Sequence, residues 1–314
     1  MGRFLVRRLG FLMLTVLFTS MLVFGVTRLL PGDVARIVLG REAGEAALER
    51  FREELGLLDP APVQYGRWLG GIVTGDWGTS YSTGGEIRPL ALARLGNSLM
   101  LAGLTLALAV PLGILLGVLA GLHEGRALDA AVSVGTLAVV GLPEFVTGLA
   151  LVQVFAHVLG VLPASSSIRP GTPFFQALPS LVLPALTATL VMLGYVARLT
   201  RAQVVEELRR PYVRTAVLKG LSWRWVVVRH VLRNALLPTI TVVAISFGWL
   251  IGGIIVIENV FNFPGLGRLL LFAIDRRDFP LLSAISMVVV LGVLLANLTA
   301  DLLYAWLNPR IRLD

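Results

Sequence analysis

Residues 198–233 read RLTRAQVVEELRRPYVRTAVLKGLSWRWVVVRHVLR. Nine positive side chains crowd into this stretch, and long apolar runs flank it on both sides. A charge at the bilayer centre costs on the order of 2.5–3.5 kcal/mol, so this stretch stays in water while its neighbours cross a membrane. Within it, Pro211 to Leu218 predicts a short helix, because proline is pre-organised for a first helical position. Gly220 supplies the stop and takes a left-handed backbone without a Cβ clash. A second short amphipathic run follows, Trp223 to Leu232. Two short helices at right angles on a membrane face form a knob that a soluble partner can grip.

Composition agrees with a membrane protein. The 314 residues are 56% hydrophobic and 15% charged, and cysteine is absent, which excludes disulfides, zinc–thiolate sites and iron–sulfur clusters. A net charge of +8 can signal nucleic acid. In an apolar chain it reads instead as charge that sets membrane orientation, so no nucleic-acid partner is expected.

The fold class expected is all-α, a polytopic protein with six transmembrane helices. The first span covers Leu9 to Thr27, about the length needed to cross a bilayer, and lacks the small-residue cleavage site of a signal peptide. The second lies within Leu95 to Leu122, the third within Ala130 to Leu159 with Pro143 and Glu144 near its middle, and the fourth within Leu178 to Ala197. The fifth covers Leu236 to Ile257, and the sixth Phe279 to Ala300, extending to Trp306. Four parts follow: a tail and first span (1–30), an insert (31–96), a core of five spans with the charged loop (97–306, loop 198–233), and a terminal tail (307–314). The insert carries a predicted amphipathic helix over Glu42 to Leu55 and another over Gln64 to Val73. Its Gly75–Tyr81 segment is turn-rich, with aromatics suited to an interface.

Six spans put both termini on one side. Arg3, Arg7, Arg8, Arg126, Arg310, Arg312 and the charged loop give that side fifteen positive residues against five acids. The other side is close to balanced. By the positive-inside rule the termini and the loop face the cytoplasm and the insert faces out.

Several chemistries are missing. The single lysine, Lys219, precedes Gly220 and completes no phosphate-binding loop. The three histidines lie far apart, and no Ser/His/Asp set or metal cluster can be assembled. An intramembrane enzyme is therefore disfavoured. A secondary transporter would want several ionisable groups at depth and paired broken helices; Glu144 is the one carboxylate well inside a span. Glu144 either lines a substrate path or partners an arginine or the backbone that Pro143 frees. Gly113, Gly117 and Gly121, four apart, line one helix face and permit close packing.

The charged loop resembles the cytoplasmic coupling loop of the inner-membrane permeases of ATP-binding-cassette importers, whose pattern is Glu-Ala-Ala, three residues, Gly, nine residues, Ile-x-Leu-Pro. Arg214-Thr215-Ala216 occupies the first place, Gly220 falls at the right spacing, and His230 to Arg233 stands where the pattern ends. Ala216, Gly220 and Leu232 match. The wording RTAVLKGL…RHVLRNALLP is similar to the dipeptide, oligopeptide and nickel branch. So are RFLVRRL and LLPGD at the start, GGIIVIENVFNFPGLGRLL, and the terminal NPRIR. The resemblance implies a type I importer permease fold in the plasma membrane. It implies a second permease subunit, expected to be a different chain, two cytoplasmic ATPase subunits holding ATP and Mg, and an extracytoplasmic solute-binding protein. This chain would bind no cofactor. Its coupling residues would be Tyr212, Arg214, Thr215, Ala216, Leu218, Gly220 and Leu221. Its substrate path would include Glu144, Glu258 and Asn259. The expected cargo is a di- or oligopeptide, with nickel or a metal chelate as the alternative.

Overall fold

The computed structural model describes residues 2–29, 34–39, 42–54, 56–168 and 172–307. Residues 30–33, part of the 163–173 loop and the tail 308–314 lie outside the described residues, as does the side chain of Arg3. Among the described residues the chain is helical, with one isolated antiparallel bridge, Thr79 to Glu86. The helices are α1 (Gly2–Leu29), α2 (Val34–Leu39), α3 (Glu45–Glu54), α4 (Ala61–Thr74), α5 (Ile87–Leu122), α6 (Ala127–Gly141), α7 (Glu144–Val152), α8 (Phe174–Leu208), α9 (Pro211–Leu218), α10 (Trp223–Val226), α11 (Leu232–Val260), α12 (Leu266–Asp275) and α13 (Phe279–Leu307).

Four described helices are long and apolar enough to cross a membrane: 6–29, 87–122, 174–208 and 279–302. The bent pair 127–141 and 144–158 counts as a fifth. The span expected at 236–257 lies inside α11, where the side chains of 240–242, 244–249 and 251–253 fall outside the described residues.

Four expectations need correction. The third span is no straight rod: it bends by 102° between Gly141 and Glu144. Proline lacks the amide a helix interior needs and forces the residue before it out of the helical region. Leu142 accordingly sits at φ −90°, ψ 137°. The fourth span does not stop where charge begins. Nothing in Arg198 to Leu208 breaks a helix, so α8 carries its apolar part into the charged stretch without interruption. Likewise Trp223 to Leu232 is no separate second helix. α10 passes through a π-helical turn, Val227–Val231, straight into α11. The second span also starts early, because α5 begins at Ile87 within the stretch read as insert.

The chain divides into two compact units, Met1–Ser98 with Pro264–Leu294, and Leu99–Phe263 with Leu295–Asp314. In the first unit, Ile87, Leu266, Leu269, Leu281 and Ile285 form a buried core against Ile72, Trp77 and Leu90. Asp278, wholly buried, organises it. Its carboxylate accepts from Ser80 Oγ at 2.6 Å, the Ser82 amide at 2.9 Å and the Leu281 amide at 3.2 Å, so one side chain caps α13 and pins the Thr79–Glu86 turn. Burial, then the Asp278 charge, raises the Tyr81 phenol above its ordinary pKa. Phe24 of α1 meets Tyr65 and Trp68 of α4 at 5.5 and 5.7 Å, and Ser20 hydrogen-bonds Tyr65 at 2.7 Å.

In the second unit α5, α6, α7 and α11 gather on α8. Lipid is as apolar as leucine, so close packing, not water exclusion, holds such helices together. Gly113, Gly117 and Gly121 of α5 face Val196, Thr200 and Val204 of α8. A Cβ on Gly117 would lie 2.5 Å from the Ala197 carbonyl oxygen and 2.6 Å from Thr200 Cβ. The α6–α8 contact holds a charge pair. Arg201 grips Asp129 with Nε on Oδ1 and with Nη2 on Oδ2 at 2.7 Å. The same carboxylate accepts the Gly125 amide at 2.9 Å and Ser133 Oγ at 3.2 Å.

Candidate coupling surface and membrane carboxylates

α9 starts at Pro211, and Gly220 follows it at φ +82°. In that left-handed region a Cβ is strained, yet nothing lies within 4 Å of where it would stand. Glycine here serves the backbone turn alone.

The helix is two-sided. Val213 and Ala216 face inward, packed with Val226 and Val231 and against Leu208 and Tyr212. Tyr212 donates to Glu207 Oε2 at 2.6 Å and accepts from Asn234 Nδ2 at 3.3 Å. Burial, then that bond to Glu207, raises its phenol pKa, so it remains a donor. Arg210 Nε reaches Glu207 Oε1 at 2.8 Å, and Arg209 reaches Glu124 at 2.6 Å. Arg214 and Thr215 are exposed, the latter spending its hydroxyl on the Pro211 carbonyl. Leu218 is 78% exposed, with Val217, Leu221 and Trp223 beside it in the open.

Ala216 and Tyr212 therefore do not stand on the outward face with Thr215 and Leu218. They fasten α9 to the end of α8 and to the α10–α11 entry. Val217 and Trp223, not among the expected coupling residues, join the outward apolar surface. For Trp223 a signal was there, an apolar residue between Ser222 and Arg224; Val217, between Ala216 and Leu218, had none.

The membrane carboxylates sit at breaks. Glu144 is the first residue of α7 and half-buried. The partial positive charge of free amides at a helix start favours a carboxylate there. Thr147 and Gly148, one turn on, pack inward. A Cβ on Gly148 would stand 3.1 Å from the Phe261 ring, which brings α7 against the end of α11. Glu258, at that end, is wholly buried. Its carbonyl accepts the Phe263 amide at 2.7 Å, closing the turn in which Asn262 takes φ 53°. Asn259 turns its amide back onto the Ile255 carbonyl at 2.9 Å. α7 and α11 thus share one seam, with Glu144 heading α7 and Glu258 and Asn259 ending α11. The pair Asp129–Arg201 escaped the sequence reading. Each stands among other charges at the edge of an apolar segment, so nothing local singled out the pair.

Comparison with known proteins gives concordant matches. Residues 113–313 match the family described as binding-protein-dependent transport system inner membrane component, and residues 1–89 match its N-terminal counterpart. The chain is 38% identical, over 99% of both chains, to the glutathione transport system permease protein GsiC of Salmonella paratyphi A. It is 40% identical, over 99% of both chains, to the protein of the same name from Pectobacterium atrosepticum. It is 36% identical to the "Probable peptide ABC transporter permease protein y4tP" of Sinorhizobium fredii, over 99% of this chain and 100% of that one. Among solved structures, a chain from "Crystal structure of an amino acid ABC transporter with histidines" superposes with a TM-score of 0.55 at 17% identity, covering 69% of this chain and 93% of that one. That likeness speaks to the fold alone.

Proposed function

Because this chain belongs to the family of binding-protein-dependent transport system inner membrane components, we propose that it forms half of a translocation pathway for short peptides. It is a permease subunit of an ATP-driven importer and carries no ATPase site; hydrolysis belongs to partner subunits. The cargo reading rests on relatives named for glutathione and for peptide transport. Nickel or chelate import by the same architecture draws no support from those names.

The observation that carries the mechanism is the two-sided α9. Its inner face is locked to α8 and α11, and its outer face offers Val217, Leu218 and Leu221 to a partner. Two ATPase subunits, holding ATP and Mg, close on one another in the cytoplasm. An apolar cleft on one of them holds α9, and its movement is passed to α8 and α11. A second, different permease chain completes the pathway, and a solute-binding protein delivers the peptide from outside. Glu144, at the bend, stands in that pathway and meets the peptide's amino end; Glu258 and Asn259 shape its outer part.

Two experiments test this. ATP hydrolysis by the reconstituted complex should rise with binding protein loaded with a di- or tripeptide, and stay low with empty binding protein. Stimulation by a nickel chelate alone would transfer the reading to metals. Orientation is tested in intact cells, since the chain has no cysteine of its own. Cysteines at the exposed Thr83 and Ser165 should react with an impermeant thiol reagent, and one at the exposed Ser222 should not. Labelling at Ser222 would invert the topology.

A further inference from the structure

The first unit contains a cavity of about 640 Å³ that the transport reading does not use. Three arginines line it, Arg28, Arg52 and Arg67, against one carboxylate, Asp76. Asp76 already accepts the Gly78 amide at 3.2 Å. Arg67 already holds Asp59 at 2.8 Å through Nη2, so it would meet a ligand with its remaining guanidinium N–H groups. Arg28 lies over the Phe24 ring at 5.4 Å, which leaves its guanidinium edges free to donate. The remaining wall is apolar and aromatic, including Trp68, Ile72 and Phe279. The wall thus combines arginine side chains with apolar and aromatic ones.

Its depth identifies the occupant. Thr27 and Arg28 end the apolar helix 6–29, and Phe279 and Pro280 begin the apolar helix 279–302. Both spans leave the membrane here, so the cavity sits at headgroup level. The insert around it exposes large apolar side chains, Leu58 at 62% and Val73 at 79%. An interfacial helix presents such side chains to lipid. The volume suits a small polar group with the first part of a chain attached.

We propose that this cavity is a binding site for the headgroup of an anionic phospholipid. The phosphate accepts from Arg28, Arg52 and Arg67, and the glycerol and first methylenes lie along Trp68, Ile72 and Phe279. Guanidinium forks suit phosphate oxygens bidentately. A bound lipid would tie α1, α4 and α13 of this unit together at the membrane surface.

The test uses the detergent-purified, delipidated transporter complex and native mass spectrometry with three probes: phosphatidylglycerol, phosphatidylcholine and glycerol 3-phosphate. The wild-type complex should retain phosphatidylglycerol about tenfold more tightly than phosphatidylcholine, as expected when two or more basic residues each contribute severalfold. Glycerol 3-phosphate should not compete at equal concentration. The preference should vanish in the Arg28→Gln/Arg67→Gln variant. Thr27→Trp keeps every arginine and fills the cavity from α1, so it should abolish the preference even if the double variant folds poorly. Equal binding of the two lipids by the wild type would overturn the proposal. So would a preference that survives Thr27→Trp. Full competition by glycerol 3-phosphate would make the site one for soluble anions and would also overturn it.

Discussion

Two glycine-bearing regions of the second unit differ in what surrounds the missing side chain. Along α5, Gly113, Gly117 and Gly121 are glycine because α8 already occupies the space where a Cβ would go. At Gly220 the space is empty and the backbone dihedral is the reason. The first region is finished within the chain. The second is exposed and unfilled, which is what the proposed docking of another subunit requires. The same residue type thus marks a packed seam in one place and an exposed backbone turn in the other.

The sharpest way to break this contrast is Gly117→Leu. A branched side chain there meets a carbonyl oxygen and a Thr200 carbon at once, and overpacking costs about 1–3 kcal/mol or more. The protein should largely disappear from the membrane, as measured by quantitative immunoblot. Normal abundance would mean the seam is loose.

Gly220→Val should do the opposite. Its strain is about 1–2 kcal/mol and local, so abundance stays near normal while uptake falls at least about fivefold, the factor that 1 kcal/mol represents. A cysteine at Thr215 should cross-link to the ATPase subunit in the parent and poorly in this background. Equal cross-linking with full uptake would remove the coupling role from α9.

Asp129→Asn probes the neighbouring α6–α8 contact. It keeps the shape but removes the carboxylate that Arg201 grips. The loss should be on the order of 1–3 kcal/mol, read as a lower melting temperature in detergent that an Arg201→Gln second change does not deepen. Simple addition of the two losses would show that the charges act separately.

The smallest stability effect is expected at Glu144→Gln. The side chain is half-exposed, so stability should move by less than about 0.5 kcal/mol, while peptide uptake or its preference for a free amino end changes. Wild-type transport would take Glu144 out of the pathway.

Much of this was legible from the residues. Apolar runs located the long helices, because a bilayer leaves a segment little alternative to helix. Pro211 and Gly220 fixed α9 at both ends for reasons confined to a few residues. What escaped depended on distance along the chain. Charge in Arg198 to Leu208 marks where water begins, and it was read as where the helix ends; those are different questions. Pro143 was noticed, but whether a proline kinks a span or turns it by a right angle depends on what packs on either side, here Phe261 against Gly148. The inward turn of Ala216 depends on Val226 and Val231. The Asp129–Arg201 pair joins residues 72 apart in sequence, which no local pattern reports.

The uninterrupted helix α8 has a mechanical consequence. From Ala185 to Leu208 it contains no proline, a run about 36 Å long at about 1.5 Å per residue. A stiff lever of that length, tilted by about 5°, displaces its far end by about 3 Å. Glu207 near the end of α8 holds Tyr212 of α9 at 2.6 Å and Arg210 just before α9 at 2.8 Å, a short polar tie between the two helices. Under the proposed coupling role, a stroke applied at α9 would be carried along α8 into its apolar part, with the glycine seam on α5 as the place where α8 is held.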